Sequence, residues 1–227
     1  MVDLNGLVTL AAALVDSLNP APFGVLIFLF AYLSARTKSG FSMLMHGLTF
    51  ILAVFLAYLS AGVLLLEGIT RISALSSWSY RIAATVFLFG GLFEIKDYFW
   101  NEKGWSPKLS PRDNERIKMY AQRVAQRYSS SFWLGIFVTF FEIVYAGAVY
   151  VCALMVLSLS KNPSDNVLWL IRYNLIFILP LLVILYTSAR GTSTERLEAF
   201  RQRNRGLMRL ITGVALVLLS IRILFMA

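Results

Sequence analysis

The chain has 227 residues, 58% of them hydrophobic and only 15% charged, with a formal charge of +9 and a mean hydropathy of +0.70. A soluble domain carries roughly 25% charged residues, so this composition argues against a water-soluble globule. It also argues against nucleic acid as the reason for the positive charge, because in a lipid-embedded chain Lys and Arg fix topology and meet anionic headgroups. One cysteine, Cys152, and one histidine, His46, allow no intramolecular disulfide and no defensible metal or haem site. No metal or cofactor is therefore expected. The N-terminal apolar block lacks a basic leader and is too long for a cleavable signal, so it is expected to be retained.

A membrane-spanning helix needs roughly 20 apolar residues. The first such block, about Leu7 to Ser34, is interrupted by Asn19-Pro20-Ala21-Pro22. Pro20 and Pro22 each remove a backbone donor. This predicts two half-helices, the second beginning between Ala21 and Gly24 with free N–H groups and a positive dipole end near the midplane. Discontinuous helices build transporter sites, which makes Asp16, Asn19, Pro20 and Pro22 candidate site residues. A simple proline kink is the alternative.

The second block runs from about Met43 to Leu66, with His46 read as interfacial. The third, Ile82 to Trp100, ends in Glu94, Lys96 and Asp97, read as solvated charges. A connection at 101–131 follows, punctuated by Trp105, Pro107 and Pro111. Its second part, Asp113 to Tyr128, reads as a short basic helix with Ile117, Tyr120 and Val124 on one face. Such a helix either lies on anionic headgroups or docks a cytoplasmic partner.

The fourth block, Phe132 to Leu159, carries Glu142 well inside the span and a small-residue cluster, Ala146-Gly147-Ala148, after Tyr145. An ionisable group at that depth is a functional candidate by default; a neutral or interfacial carboxyl is the alternative. Cys152 reads as a packing residue. The fifth block, Val167 to Tyr186, contains Asn174, which can bond across helices, and Pro180, which is expected to interrupt the helix. Arg172 snorkels from its outer end. The sixth block is Leu207 to Phe225.

Six spans place sixteen Lys and Arg on the side opposite Met1 and five on the side of Met1. The positive-inside rule then makes connections one, three and five cytoplasmic and both termini extracytoplasmic. A multi-pass protein of the cell membrane, with the lipid bilayer as its first partner, is the expectation. Adding or removing one span scrambles the charge separation. Three plus three spans imply an inverted repeat, because an odd-numbered unit reinserts upside down. The division is 1–100 for the first repeat, 101–131 for the cytoplasmic connection and 132–227 for the second repeat. Each half opens with a broken or small-residue-rich helix that carries an acid, Asp16 or Glu142.

Four segments carry a family resemblance: Asp16-Ser17-Leu18-Asn19-Pro20, Gly47 through Leu56, Gly91 through Trp100, and Tyr173 through Leu181. In these the chain resembles the CcdA family of cytochrome c-type biogenesis proteins, which match the membrane domain of DsbD within a broader group that includes the LysE exporters. The resemblance implies an all-α membrane protein of six transmembrane helices in two inverted three-helix repeats. It implies electron transfer by thiol–disulfide exchange, from cytoplasmic thioredoxin to extracytoplasmic thioredoxin-like proteins. One cysteine in each opening helix performs that exchange in the family.

This chain departs from the family at both reactive positions. The family's Asn-Pro-Cys is Asn19-Pro20-Ala21, and its Glu-x-x-Cys-Thr-Gly-Gly is Glu142-Ile143-Val144-Tyr145-Ala146-Gly147-Ala148. Ala21 and Tyr145 cannot form a disulfide, and Cys152 matches neither position. Three functions therefore stay open. The chain is a CcdA-type electron transporter with its redox pair removed, a cysteine-free transporter of a small solute or ion, or a membrane assembly subunit. For the transporter, the expected pathway residues are Asp16, Asn19, Pro20, Pro22, Glu142, Gly147, Asn174 and Pro180.

Overall fold

The computed structural model describes residues 4–18, 20–36, 40–71, 73–100, 127–160 and 165–225. The connection at 101–126, with its expected amphipathic helix, lies outside the described residues. Of the described residues, 92% are helical and none is in a strand. The elements are α1 (Leu4–Asp16), α2 (Pro20–Arg36), α3 (Gly40–Arg71), α4 (Ser73–Phe99), α5 (Tyr128–Ala146), α6 (Ala148–Leu157), α7 (Asn166–Ala189) and α8 (Thr194–Leu224).

Among the described residues, three helices are long and apolar enough to cross a membrane: α3, α7 and α8. The number rises to four if α5 and α6, which bend by 78° at their junction, are taken as one span. Only about a third of each of the three apolar stretches is buried inside the chain. Most of the apolar surface therefore faces outward, where Leu52, Leu56, Leu64, Leu175, Leu179, Val183 and Leu218 are exposed. Contiguous apolar exteriors of this kind mark contact with lipid or another apolar surface. The interior reverses the pattern, burying Asp16, Thr9, His46, Asp97, Thr139, Glu142, Asn174 and Arg209.

The breaks follow from local chemistry. α1 stops at Asp16, where Ser17 N–H bonds the Ala13 carbonyl at 2.8 Å and the Ser17 hydroxyl bonds the Leu14 carbonyl at 2.8 Å. α2 then starts on Pro20, since a first-turn proline lacks only an N–H that the helix would leave unbonded anyway. The expected interruption at Pro180 does not occur. α7 is continuous through it, because one missing amide bond is tolerated where neighbouring helices hold the backbone. α7 ends instead at Gly191, whose φ of +89° suits glycine, with Thr192 N–H closing back on the Thr187 carbonyl at 3.1 Å. Ser193 then caps α8 by accepting from Arg196 N–H.

Packing sets the layout. α4 runs along α8, and α3 lies between α5 and α7. α1 packs on α6 and α7, α2 on α8, and α6 on α4. The α4–α8 crossing is close because Gly91 and Gly213 face each other. A Cβ built on Gly91 would stand 2.7 Å from the Gly213 carbonyl oxygen. Small residues at a crossing let backbones approach where no hydrophobic effect drives association.

Candidate functional site

The breaks deliver two carboxyls to one place. Asp16 is the last residue of α1, and Glu142 lies one turn before the end of α5; both are buried. Each lies beside a tyrosine from the other half of the chain. Tyr173 of α7 donates to Asp16 Oδ2 at 2.8 Å. Tyr58 of α3 lies beside the Glu142 carboxyl and interacts with it electrostatically. The two carboxyls lie within electrostatic reach of one another.

A third tyrosine joins the pairs. Tyr150 of α6 donates to the Tyr58 carbonyl at 2.7 Å and lies beside Asn174. Its hydroxyl comes so close to α3 that only glycine fits at position 62; a Cβ there would collide with it. The rings form a continuous wall. Tyr150 stands 5.1 Å from both Tyr58 and Tyr173, and Phe177 lies 4.4 Å from Tyr58. All three tyrosines are at most 1% exposed, so their hydroxyls are bonded inside the protein rather than to water.

Asn174 completes the cluster. Its Nδ2 donates to the Leu170 carbonyl of its own helix at 2.8 Å. Its Oδ1 is buried and has no hydrogen-bond partner among the described residues.

Of the sequence candidates, the structure brings together Asp16, Glu142 and Asn174. Gly147 forms the α5–α6 junction, where its N–H bonds the Ile143 carbonyl at 3.1 Å and an added Cβ would collide with that carbonyl. Pro22 is buried in the first turn of α2. Pro180 lies seven residues beyond Tyr173, about 10.5 Å along α7, and takes no part in the cluster. Asn19 and the side chains of Pro20, Ala21 and Tyr145 lie outside the described residues. Cys152 is buried on α6.

One expectation is corrected. Asp97 is not solvated. It is 4% exposed and accepts from Arg209 Nη1 of α8 at 2.8 Å, with Lys96 at 3.0 Å from its other oxygen. The close glycine crossing draws the charged ends of α4 and α8 together, and burial then demands pairing. His46 lies near the start of α3. It is 4% exposed, bonded through Nδ1 to Ser131 Oγ at 2.7 Å and set against the Tyr128 ring at 4.6 Å.

The three tyrosines of the site were not among the sequence candidates. Their signal was position: Tyr belongs at membrane interfaces, and Tyr58 stands in the middle of a 32-residue helix. No protein-family model, curated protein or solved structure matches this chain.

Proposed function

We propose that the chain is a multi-pass membrane transporter of a small solute, built from two inverted three-helix repeats on a CcdA-like frame. In this assignment α1–α2, α3 and α4 form the first repeat, and α5–α6, α7 and α8 the second. α1 with α2, and α5 with α6, each make one broken span, and the cytoplasmic side is the basic one.

One observation carries the assignment: the acid–tyrosine pairs exchange between halves. The acid of the first opening helix, Asp16, meets the second helix of the other half through Tyr173. The acid of the second opening helix, Glu142, meets the second helix of the first half through Tyr58. Helix packing follows the same exchange. α5 on α3 answers α1 on α7, α6 on α4 answers α2 on α8, and α4 and α8 pair with one another. A polar cluster at such a repeat interface, beside two helix breaks, is where alternating access operates.

The assignment keeps the family's frame and not its chemistry. Ala21 and Tyr145 supply no sulfur, and the single thiol, Cys152, is buried. Thioredoxin and extracytoplasmic thioredoxin-like partners belong to the redox-active relatives that the chain resembles.

Solute counterflow in proteoliposomes tests the assignment. Flux is expected from the unaltered chain. It is expected to fall at least tenfold in Asp16→Asn and Glu142→Gln, each still monodisperse. No flux of any solute, together with a stably co-purifying membrane protein, would instead identify an assembly subunit. Thioredoxin-driven reduction of an external disulfide by the unaltered chain would overturn the exclusion of thiol chemistry.

A further inference from the structure

We infer that the solute taken by the central cluster is a small cation that donates hydrogen bonds, of the ammonium or guanidinium class. This rests on the transporter assignment and adds the substrate's chemistry to it.

The cluster is rich in acceptors. Asp16 brings a carboxyl that receives one donor, the Tyr173 hydroxyl, among its described hydrogen bonds. A carboxylate has room for about four. Asn174, next in the chain to Tyr173, carries a fully buried carbonyl oxygen with no donor on it among the described residues. A second carboxyl, Glu142, lies within electrostatic reach of the first. No Lys or Arg side chain bonds or pairs with Asp16 among the described residues. Buried polar atoms in native proteins are satisfied, so the orphan acceptor calls for a donor that arrives from outside.

The walls select further. Tyr58, Tyr150 and Tyr173 pack ring against ring beside the carboxyls. An anion would meet two carboxyls. A neutral solute would satisfy Asn174 and gain nothing from Asp16 in its charged form. A donor-bearing cation satisfies both. In the conformation described the rings pack on each other, and the helix breaks after Asp16 and at Gly147 lie next to the two acids.

The test separates binding from transport. The full chain, purified in anionic lipid nanodiscs, is unfolded by heat in millimolar guanidinium, tetramethylammonium, urea or acetate. Urea has the shape of guanidinium without its charge. Guanidinium is expected to raise Tm by several degrees, tetramethylammonium by less because it donates no hydrogen bond, and urea and acetate not at all. Asp16→Asn should abolish the guanidinium shift. If that variant does not fold, Asn174→Leu, which leaves the carboxyl intact, should weaken guanidinium binding several-fold. Equal stabilisation by urea and guanidinium, stabilisation by acetate, or no stabilisation by either cation would overturn the cation inference. Solute flux in the counterflow assay would still leave the transporter assignment standing in each case. Stabilisation by guanidinium with no flux would do the reverse.

Discussion

The Tyr173 hydroxyl holds Asp16 Oδ2 at 2.8 Å across 157 residues of chain, tying the end of α1 to α7. Both groups are buried, so neither finds water if the other is lost. Tyr173→Phe should therefore destabilise the protein by about 1–3 kcal/mol, the usual effect of stranding a buried polar group. Tyr58→Phe should act alike through Glu142 if the halves are equivalent. Thermal unfolding in nanodiscs reads both. A Tyr173→Phe variant as stable as the parent would remove the bond's structural role.

The α5–α6 junction depends on glycine for space. A Cβ at position 147 would run into the Ile143 carbonyl that terminates α5. Gly147→Val should cost roughly 1–3 kcal/mol, the range for forcing extra atoms into a packed site, and should impair solute flux more than it impairs expression. Normal flux in a folded Gly147→Val protein would show that the junction tolerates a different geometry.

At the far end of the bundle, Asp97 and Arg209 form an ion pair that burial makes expensive to break. Removing one charge from such a pair costs about 3–5 kcal/mol, so Asp97→Asn should lower Tm markedly. The exchange Asp97→Arg with Arg209→Asp should recover part of that loss. Equal Tm values for Asp97→Asn and the parent would mean that the pairing adds nothing.

Cys152 has 2% of its surface exposed. A membrane-permeant maleimide should leave it largely unmodified in the folded protein and label it fully after denaturation, with mass spectrometry as the readout. Rapid labelling of the native protein would point to an open path along α6.

Orientation can be read one residue at a time. In a Cys152→Ala background, Asp165→Cys should react with an impermeant maleimide from the extracytoplasmic side. Ala199→Cys should react only after the membrane is opened, since α8 begins on the basic side. Both positions are exposed, so access depends on sidedness. The reverse labelling pattern would invert the topology.

The long apolar helices were legible because lipid-compatible sequence is a bulk property. α3, α7 and α8 overlap the second, fifth and sixth blocks, and the break after Asp16 precedes two prolines that are tolerated only in the first turn of the next helix. Asp16, Glu142 and Asn174 were legible as polar groups where polar groups are expensive. Pro180 misled because a missing amide bond does not decide whether a helix continues; its neighbours do. Asp97 misled because nearness to a span's end looks like exposure. Whether an end is covered depends on a partner helix far away in sequence.

Composition and hydropathy alone determined that the chain is helical and apolar on its outside, because a backbone in lipid must satisfy its own hydrogen bonds and side chains there cannot be polar. Residue types indicated the break after Asp16 and which acids lay deep. Only the tertiary structure decided that Asp16 meets Tyr173, that Glu142 meets Tyr58, and that Tyr150 and Asn174 close the cluster between them. Those contacts join residues up to 157 positions apart. Their existence depends on how helices cross, which is set by side-chain shape at each interface and is not written in any local run of sequence.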